Sequence, residues 1–517
     1  MRWRWGLMLT MFVATAGLLG ACGSNGPDNA ASPADTQTVD TAPASTSEAP
    51  TSEATPAATV ASTTSAPATT TPSTTTSQRP VPEGELAFSS HVLPVLETMC
   101  AQCHTGNGPG TAHMRIDSAA QVAANADIIS ASVITGEMPP WPASALSVEF
   151  SDQLLLADHE VEAIRQWAEQ AELDVDPQTV IQSAVGVVGL DEPDMVLVPD
   201  AGYDGYLYEP DQYRCYIYDP GFTEPQWLTA YEFVPDQTEI VHHAIGYKLP
   251  ASARPDAEAL DAESPQQGGW PCFGGSGVRG SGIFLGWAPG QGPTALPEGS
   301  GLAMQPGDFI VIQVHYHFEV DAPADLSSLA IELADAGADL DPVNIVEFLA
   351  PAEIPCSSAE TGPLCDRDQA MAAALAKYGD EGVLADTILA ICRKTPADFA
   401  HMTEGLASAA CDLPMRERGT IVSVLGHQHE LGASFRMTLN PDTPDERVLL
   451  DIPEWDFDWQ YNYYPVEQID VAPSDMVRIE CTWDRSLRDP SLEPAYVLWA
   501  DGTDDEMCFA TIVIREG

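Results

Sequence analysis

Between residues 309 and 319 the side chains alternate without interruption. Ile310, Ile312, Val314, Tyr316 and Phe318 fall on one face, and Gln313, His315, His317 and Glu319 fall on the other. That period of two marks a strand with one buried side. Shorter stretches rich in β-branched and aromatic residues recur at 195–198, 213–218, 420–425, 434–439 and 509–514, with frequent Gly and Pro between them. Together they predict antiparallel β-sandwiches. An Ala- and Leu-rich interruption at about 366–410 predicts two short helices inserted between two sandwich halves. Upstream the spacing turns helical. Leu93, Val95, Leu96 and Met99 make one apolar face, and Val161, Ile164 and Trp167 make another. Asp158 is placed to N-cap the second helix, with Glu160 and Glu162 favoured by its dipole.

The N-terminus predicts an address rather than a fold. Arg2 and Arg4 precede an apolar run, Leu7 to Leu19, that is short for a bilayer span. It ends in Leu19-Gly20-Ala21-Cys22, which resembles the lipobox of a bacterial lipoprotein signal, with the Cys22 thiol as lipid acceptor. An ordinary secretory signal with an incidental Cys is the rival. Both predict an extracytoplasmic protein, lipid-anchored to a bacterial membrane in the first case. Residues 23–84 are Ser, Thr, Ala and Pro with almost no large apolar side chains, and predict a disordered tether.

Charge removes one class of partner. The 517 residues carry 21 basic and 77 acidic side chains, a formal net charge of −56, which argues against nucleic acid. Hydrophobic residues make up 44%, enough for a sizeable core. There are 11 cysteines. Setting aside Cys22, Cys100 and Cys103 leaves eight, up to four disulfides in an exported protein, with connectivity open.

Two constellations carry chemistry. Cys100-Ala101-Gln102-Cys103-His104 follows a helical stretch in the pattern of c-type haem attachment. The two Cys would form thioethers, and His104 would be the proximal iron ligand. Met138, in Gly136-Glu137-Met138-Pro139-Pro140-Trp141, resembles the distal ligand of cytochromes c. A zinc half-site lacks a second ligand pair, and a thioredoxin-type redox pair lacks a βαβ context. His91, His113 and His159 are expected to be ordinary surface or packing residues. The second constellation is three histidine clusters, His242-His243, His315 with His317, and His427-x-His429. Imidazole suits copper and zinc. His427 and His429 share a strand face and can chelate one ion. His242 and His243 can converge only at a strand end or a bulge. His315 is a plausible third ligand, with His317 on the same face as the alternative.

The order of these motifs over about 195–517 resembles the copper type II, ascorbate-dependent monooxygenases, the family of dopamine β-monooxygenase and peptidylglycine α-hydroxylating monooxygenase. The matching text is Ile240-Val241-His242-His243-Ala244, Gly286-Trp287-Ala288-Pro289-Gly290 and Leu296-Pro297-Glu298-Gly299. It continues with Gln313-Val314-His315-Tyr316, Gly426-His427-Gln428-His429-Glu430-Leu431-Gly432 and Asp505-Glu506-Met507-Cys508. The resemblance implies two separated coppers. His242, His243 and His315 would hold an electron-transfer copper, and His427, His429 and Met507 an oxygen-activating one. It also implies that Cys481 pairs with Cys508, and that O2 hydroxylates a C–H bond of a small-molecule substrate. The peptide-amidating members carry Arg where this chain has Leu425, and Asn and Tyr where it has Phe509 and Thr511. A less polar substrate fits those positions better.

The expected organisation is therefore mainly β. A signal peptide (1–22) and disordered linker (23–84) precede an all-α cytochrome c-like domain (85–172). An N-terminal β-sandwich (190–345), a Cys-containing helical insertion (346–415) and a C-terminal β-sandwich (416–517) follow. The fused haem would relay electrons from an external redox protein or small reductant to the electron-transfer copper. A non-catalytic copper- and haem-containing electron-transfer lipoprotein is the alternative. Gly275-x-Gly277-x-x-Gly280 matches a dinucleotide fingerprint in letters only, because no strand precedes it and no helix follows. Asp504, Asp505 and Glu506 are expected to form a solvated turn.

Overall fold

A computed structural model describes residues 86–517, apart from positions 107, 152, 171–172, 184–189, 191, 206–210, 265–267, 274, 289–290, 319–322, 379–383, 458 and 501. The expected signal peptide, Cys22 and the 23–84 linker lie outside the described residues. No helix among the described residues is long and apolar enough to cross a membrane.

The described chain is mainly β-sheet in several sheets, preceded by a small helical unit. That unit contains helices Leu93–Met99, Ala101–His104, Ala119–Ala124, Ala126–Thr135 and Asp158–Ala168. Leu86, Phe88, Val92, Leu96, Ile129, Val133, Ile164 and Trp167 form its core, with the Phe88 and Trp167 rings 5.4 Å apart. Ser118 and Gln121 close a reciprocal capping box at Ala119–Ala124. Asp158 does not cap its helix. Ala157 holds the cap position and Asp158 is the first helical residue, while the Glu160 carboxylate accepts the Ala157 N–H at 2.8 Å.

Residues 141–151 leave the helical core and pair with the C-terminal sheets. The N–H groups of Ser144, Val148 and Ser151 donate to the carbonyls of Asp451, Val448 and Tyr464 at 2.7, 3.1 and 2.8 Å. Val466 N–H donates back to Glu149 O at 2.8 Å. Ala143 and Phe150 are buried in the core of those sheets.

A five-stranded antiparallel sheet runs in the order Trp270–Pro271, Asp211–Tyr218, Phe309–His317, Val241–Leu249, Gly282–Trp287. Its apolar face meets Gln226–Val234, Ser300–Met304 and Ser328–Leu333 across a core that includes Ile310, Ile312, Val314 and Tyr316. Those are the residues the alternation places on one face. The other face is not uniformly polar. Phe309 and Val311 are buried there beneath helix Arg254–Glu263 and the Cys215–Cys272 disulfide.

In the C-terminal half, a four-stranded antiparallel sheet orders Leu406–Pro414, Met476–Asp484, Gly432–Leu439 and Arg447–Ile452. It packs against Gly419–His427, Phe509–Arg515 and Asp341–Leu349. Asp341–Leu349 pairs antiparallel with Phe509–Arg515 and parallel with Ser300–Met304. One sheet thus runs from the N-terminal half into the C-terminal half, and the expected boundary at 345/346 falls inside a strand. The expected insertion does contain two helices, Arg367–Tyr378 and Ala385–Ile391, but its last part is the strand Leu406–Pro414. The Gly275–Gly280 stretch is a loop leading into the strand Gly282–Trp287.

All eight remaining cysteines pair, as Cys215–Cys272, Cys356–Cys365, Cys392–Cys411 and Cys481–Cys508. Cys100 and Cys103 form no disulfide with each other or with another cysteine.

Candidate metal centre

His243 and His315 lie directly opposite each other on the neighbouring strands Val241–Leu249 and Phe309–His317. A bulge between Val241 and His243 breaks the strict alternation and lets His242 turn to the same place. The Nδ1 of His243 lies 3.2 Å from Nδ1 of His242 and 3.3 Å from Nδ1 of His315. Nitrogens bound to one ion at about 2.0 Å in tetrahedral directions would be about 3.3 Å apart. Two of the three separations thus match a metal-ligand set, and ligand atoms of all three residues lie within 4.8 Å of one another. Among the described residues, these three form a His cluster able to hold an ion.

Electrostatics keep these rings neutral, as metal binding requires. Burial, then the neighbouring imidazoles, pushes His242 down to about 3 and His243 well below the usual histidine range. Burial also lowers His315, which is 1% exposed. The tautomer of His315 is set by Asp211. Its Oδ1 accepts from His315 Nε2 at 3.0 Å and from His317 Nδ1 at 2.9 Å. The His315 proton is thus on Nε2, and Nδ1 is left with a lone pair facing His243. Burial opposes ionisation of Asp211, but the two histidines outweigh it and hold the carboxyl well below its ordinary range. His317 is thereby a partner of Asp211 rather than a member of the converging trio. Tyr213 stacks on the His315 ring at 4.3 Å.

The second pair sits at the end of Gly419–His427. The His427 and His429 rings are 5.1 Å apart. Here the outer nitrogens differ. His427 Nδ1–H donates to Gln460 Oε1, and His429 Nδ1–H donates to the Asp505 carbonyl at 3.1 Å. Both rings keep Nε2 as the lone-pair nitrogen. Burial pushes both down, His429 to about 3. The loop carrying Met507 is fastened to this pair by one carboxylate. Glu506 Oε2 accepts the N–H of His429 at 3.0 Å, of Met507 at 3.1 Å and of the Trp483 indole at 3.0 Å. Its Oε1 accepts Leu431 N–H at 2.7 Å. Glu506 is 0% exposed, so the expected solvated turn is corrected here: Asp504 is exposed, but Glu506 is an internal acceptor. Burial pushes its carboxyl up to about 8, against the pull of those donors. Leu425 shares the face of His427, and Phe509 lies opposite His427 with the rings 6.3 Å apart.

The two clusters are adjacent, not separated. The His243 and His427 rings are 6.5 Å apart. Three contacts between the two halves hold them there. Phe457 stacks on His242 at 5.2 Å and lies 6.3 Å from the His429 ring. Gln291 Nε2 donates to Gln460 O at 3.0 Å, and Thr503 Oγ1 donates to Asp211 at 3.3 Å.

In the helical unit, Cys100, Cys103 and His104 lie on consecutive helical turns. His104 Nδ1–H donates to Met114 O at 2.9 Å, leaving Nε2 as its lone-pair nitrogen. Gly110 lies against the ring, where a Cβ would come within 2.7 Å of Cε1. A fixed histidine beside two unpaired thiols fits covalent haem attachment. Met138 is half-buried and follows the helix that ends at Gly136 in the left-handed conformation.

No family model matches the chain, and no curated protein matches it. Among solved structures, it is similar at 8% identity to a Paenibacillus xanthan lyase, with 59% of this chain and 23% of the lyase covered and a TM-score of 0.15. The chain thus spans about a quarter of that enzyme. A Bacillus subtilis oxalate decarboxylase variant matches at 11% identity over 60% of this chain and 76% of its own, with a TM-score of 0.09. The 11S globulin of Wrightia tinctoria matches at 8% over 63% and 82%, with a TM-score of 0.13. None of these likenesses carries an argument.

Asp211, Glu506, Gln460 and Phe457 are parts of the site that sequence reasoning missed. Asp211 is opposite His317 in register, which the alternation at 309–319 cannot reveal. Glu506 lies inside the matching Asp505-Glu506-Met507-Cys508 text, the one signal that could have singled it out.

Proposed function

We propose that this protein is an exported, membrane-tethered copper-dependent monooxygenase of two β-sandwich domains, with a fused c-type haem domain. The observation that carries the reading is the pair of unlike ligand sets. His243 Nδ1 lies 3.2 Å from that of His242 and 3.3 Å from that of His315, spacings that suit tetrahedral nitrogen ligands, and ligand atoms of the three all lie within 4.8 Å of one another. Beside them, His427 and His429 offer Nε2, with the Met507 loop fastened to the pair. Imidazole with a soft thioether favours Cu(I), the state that meets O2. An electron carrier has no need of a second, chemically different centre.

Copper would supply the redox chemistry that lets O2 hydroxylate a C–H bond. The chain's own residues do the rest. Asp211, Gln460 and the Asp505 carbonyl hold the ring protons away from the converging nitrogens. Glu506 keeps the two ligand loops in register. Leu425 and Phe509 present apolar surface beside His427, which favours a less polar substrate. Cys100, Cys103 and His104 would hold the haem, with Met138 as its distal ligand, and the haem would supply electrons from an external donor.

The test is copper and iron per chain in protein matured with haem and reconstituted with copper. Two copper to one iron, with substrate-dependent O2 consumption, is the expected result. One copper or none, with haem present, would overturn the two-centre reading and leave an electron carrier.

A further inference from the structure

The insertion helix Arg367–Tyr378 contributes little to the core, with Ala370 buried and Met371 partly so. Its two ends are nonetheless fixed. Arg367 forks onto the buried Glu353 carboxylate, Nε to Oε2 at 2.6 Å and Nη2 to Oε1 at 2.5 Å. At the other end the Tyr378 ring lies flat on Phe273, with 3.9 Å between centroids and 4° between planes. Phe273 meets Tyr213 edge-on at 5.0 Å, and Tyr213 lies on His315 at 4.3 Å and 3°. A column of rings thus runs from the end of the insertion to a member of the histidine trio. Asp211 fixes where His315 Nε2 points, but a single hydrogen bond leaves the plane of the ring free to tilt about that bond. The parallel Tyr213 ring removes this freedom, and Phe273 and Tyr378 hold Tyr213 in turn.

The hydroxyl end of Tyr378 reaches the other ligand set. It lies against Gly502, where a Cβ would collide with the hydroxyl oxygen and come within 2.7 Å of Asp505 Oδ2. Gly502 opens a tight turn, closed by the Asp505 N–H on its carbonyl at 2.8 Å. The same loop sends Thr503 Oγ1 to Asp211 and the Asp505 carbonyl to His429 Nδ1–H, and then carries Met507. We propose that Tyr378 is a positioning residue for both centres, and that presenting it is what the helical insertion does. Its ring sets the plane of His315, and its hydroxyl end braces the loop behind His429 and Met507. The inference rests on the copper reading above and adds to it a residue, remote from the metal ligands, that tunes both sites.

The experiment uses the full holoprotein reconstituted with copper, and Phe273→Leu, Tyr378→Leu, Tyr378→Phe and Gly502→Ala variants. Each Cu(II) is followed by its own electron paramagnetic resonance signal while a chelator is titrated in. Phe273→Leu should weaken copper at the trio by about 2- to 10-fold, the worth of one aromatic pair, and leave the His427 centre at its parental affinity. Tyr378→Leu should weaken both centres. Tyr378→Phe keeps the ring column and should hold the trio at the parental value. Gly502→Ala pushes the loop off Tyr378 and should weaken the His427 centre more than the trio. Adding Tyr378→Phe, which deletes the colliding oxygen, should recover part of that loss. A role in fold stability alone would lower the thermal midpoint and leave the ratio of the two affinities unchanged in every variant. That result, or parental affinity at both centres in Tyr378→Leu, would overturn the proposal. Should Tyr378→Leu fail to fold, Phe273→Leu and Gly502→Ala still separate the two arms and decide. Fewer than two coppers in the parent protein is seen in the metal count before any titration, and would sink the two-centre reading beneath the proposal rather than the role of Tyr378 alone.

Discussion

Glu506→Gln tests whether one buried carboxylate holds the second ligand set together. In the parent, Oε2 accepts three N–H groups and Oε1 accepts one. The amide has a single acceptor oxygen. Its better orientation puts that oxygen in the Oε2 position and keeps the bonds from His429, Met507 and Trp483. Its NH2 then faces the Leu431 N–H, which loses its acceptor, and the NH2 itself finds none, so two buried donors are unsatisfied. At about 1–2 kcal/mol for each, the cost is about 2–4 kcal/mol. In a unit of about 150–250 residues this lowers the thermal midpoint by about 4–16 °C. Copper affinity at the His427 centre should fall about 10- to 100-fold, because the NH2 pushes away the Leu431 N–H and so loosens the turn that carries His429. The trio touches Glu506 nowhere in this network, so its copper should stay. Competition with a chelator, read by electron paramagnetic resonance, separates the two coppers, and calorimetry gives the midpoint. An unchanged midpoint together with unchanged affinity at both centres would refute the argument.

Three further outcomes follow from the same geometry. Asp211→Asn removes the charge shared by His315 and His317, so copper at the trio should bind about 10- to 100-fold more weakly, measured by chelator competition, with the haem spectrum unmoved. Leu425→Arg places a cation on the His427 face and should reduce turnover of apolar substrates. O2 uptake at the parental rate would count against an apolar pocket. Arg485 holds the Glu360 carboxyl down at about 2, through bonds of 2.5 and 3.0 Å. A carboxyl with a lowered folded-state pKa stabilises above its unfolded value, near 4.5, and that contribution is lost as pH falls towards 2. Glu360→Gln should therefore flatten acid unfolding between those pH values by a small amount, since the pair is solvent-screened. An acid limb identical to the parent's would remove the pair from the account.

The parts of the site governed by local periodicity were legible in the sequence. Alternation at 309–319 identified the face of the central strand that meets the sandwich core, but not that the opposite face is buried as well. The adjacency of His242 and His243 demanded a bulge or a strand end, and a bulge is there. The resemblance brought out the Cys481–Cys508 pair, which spacing alone could not. What stayed hidden depends on register and long-range packing. Asp211 is an ordinary surface-type residue until strand pairing sets it opposite His317. Glu506 reads as one of three acids in a turn until three donors from two distant segments, and the neighbouring Met507 N–H, close on it. The expected boundaries at 345/346 and 415/416 followed composition, whereas hydrogen bonding carries one strand across the first and adds Leu406–Pro414 to the sheet beyond the second. Asp158 looked like a cap because it precedes an apolar helical face, but the chain turns helical one residue earlier than a cap there allows.

The pairing of residues 141–151 with the C-terminal sheets has a practical consequence for dissecting the molecule. A fragment cut for expression after the last helix of the first unit, at about residue 170, would discard Ala143 and Phe150. It would open an apolar trough against Tyr463 and leave the carbonyls of Asp451 and Tyr464 without their N–H partners. Such a piece should aggregate, and one beginning a few residues before Trp141 keeps the pairing but strips Ile164 and Trp167 of their partners Phe88 and Leu96. The first helices are thus spliced to the rest of the protein by a strand-like insert, and no single cut frees the sheets from the helical unit without opening one of the two cores.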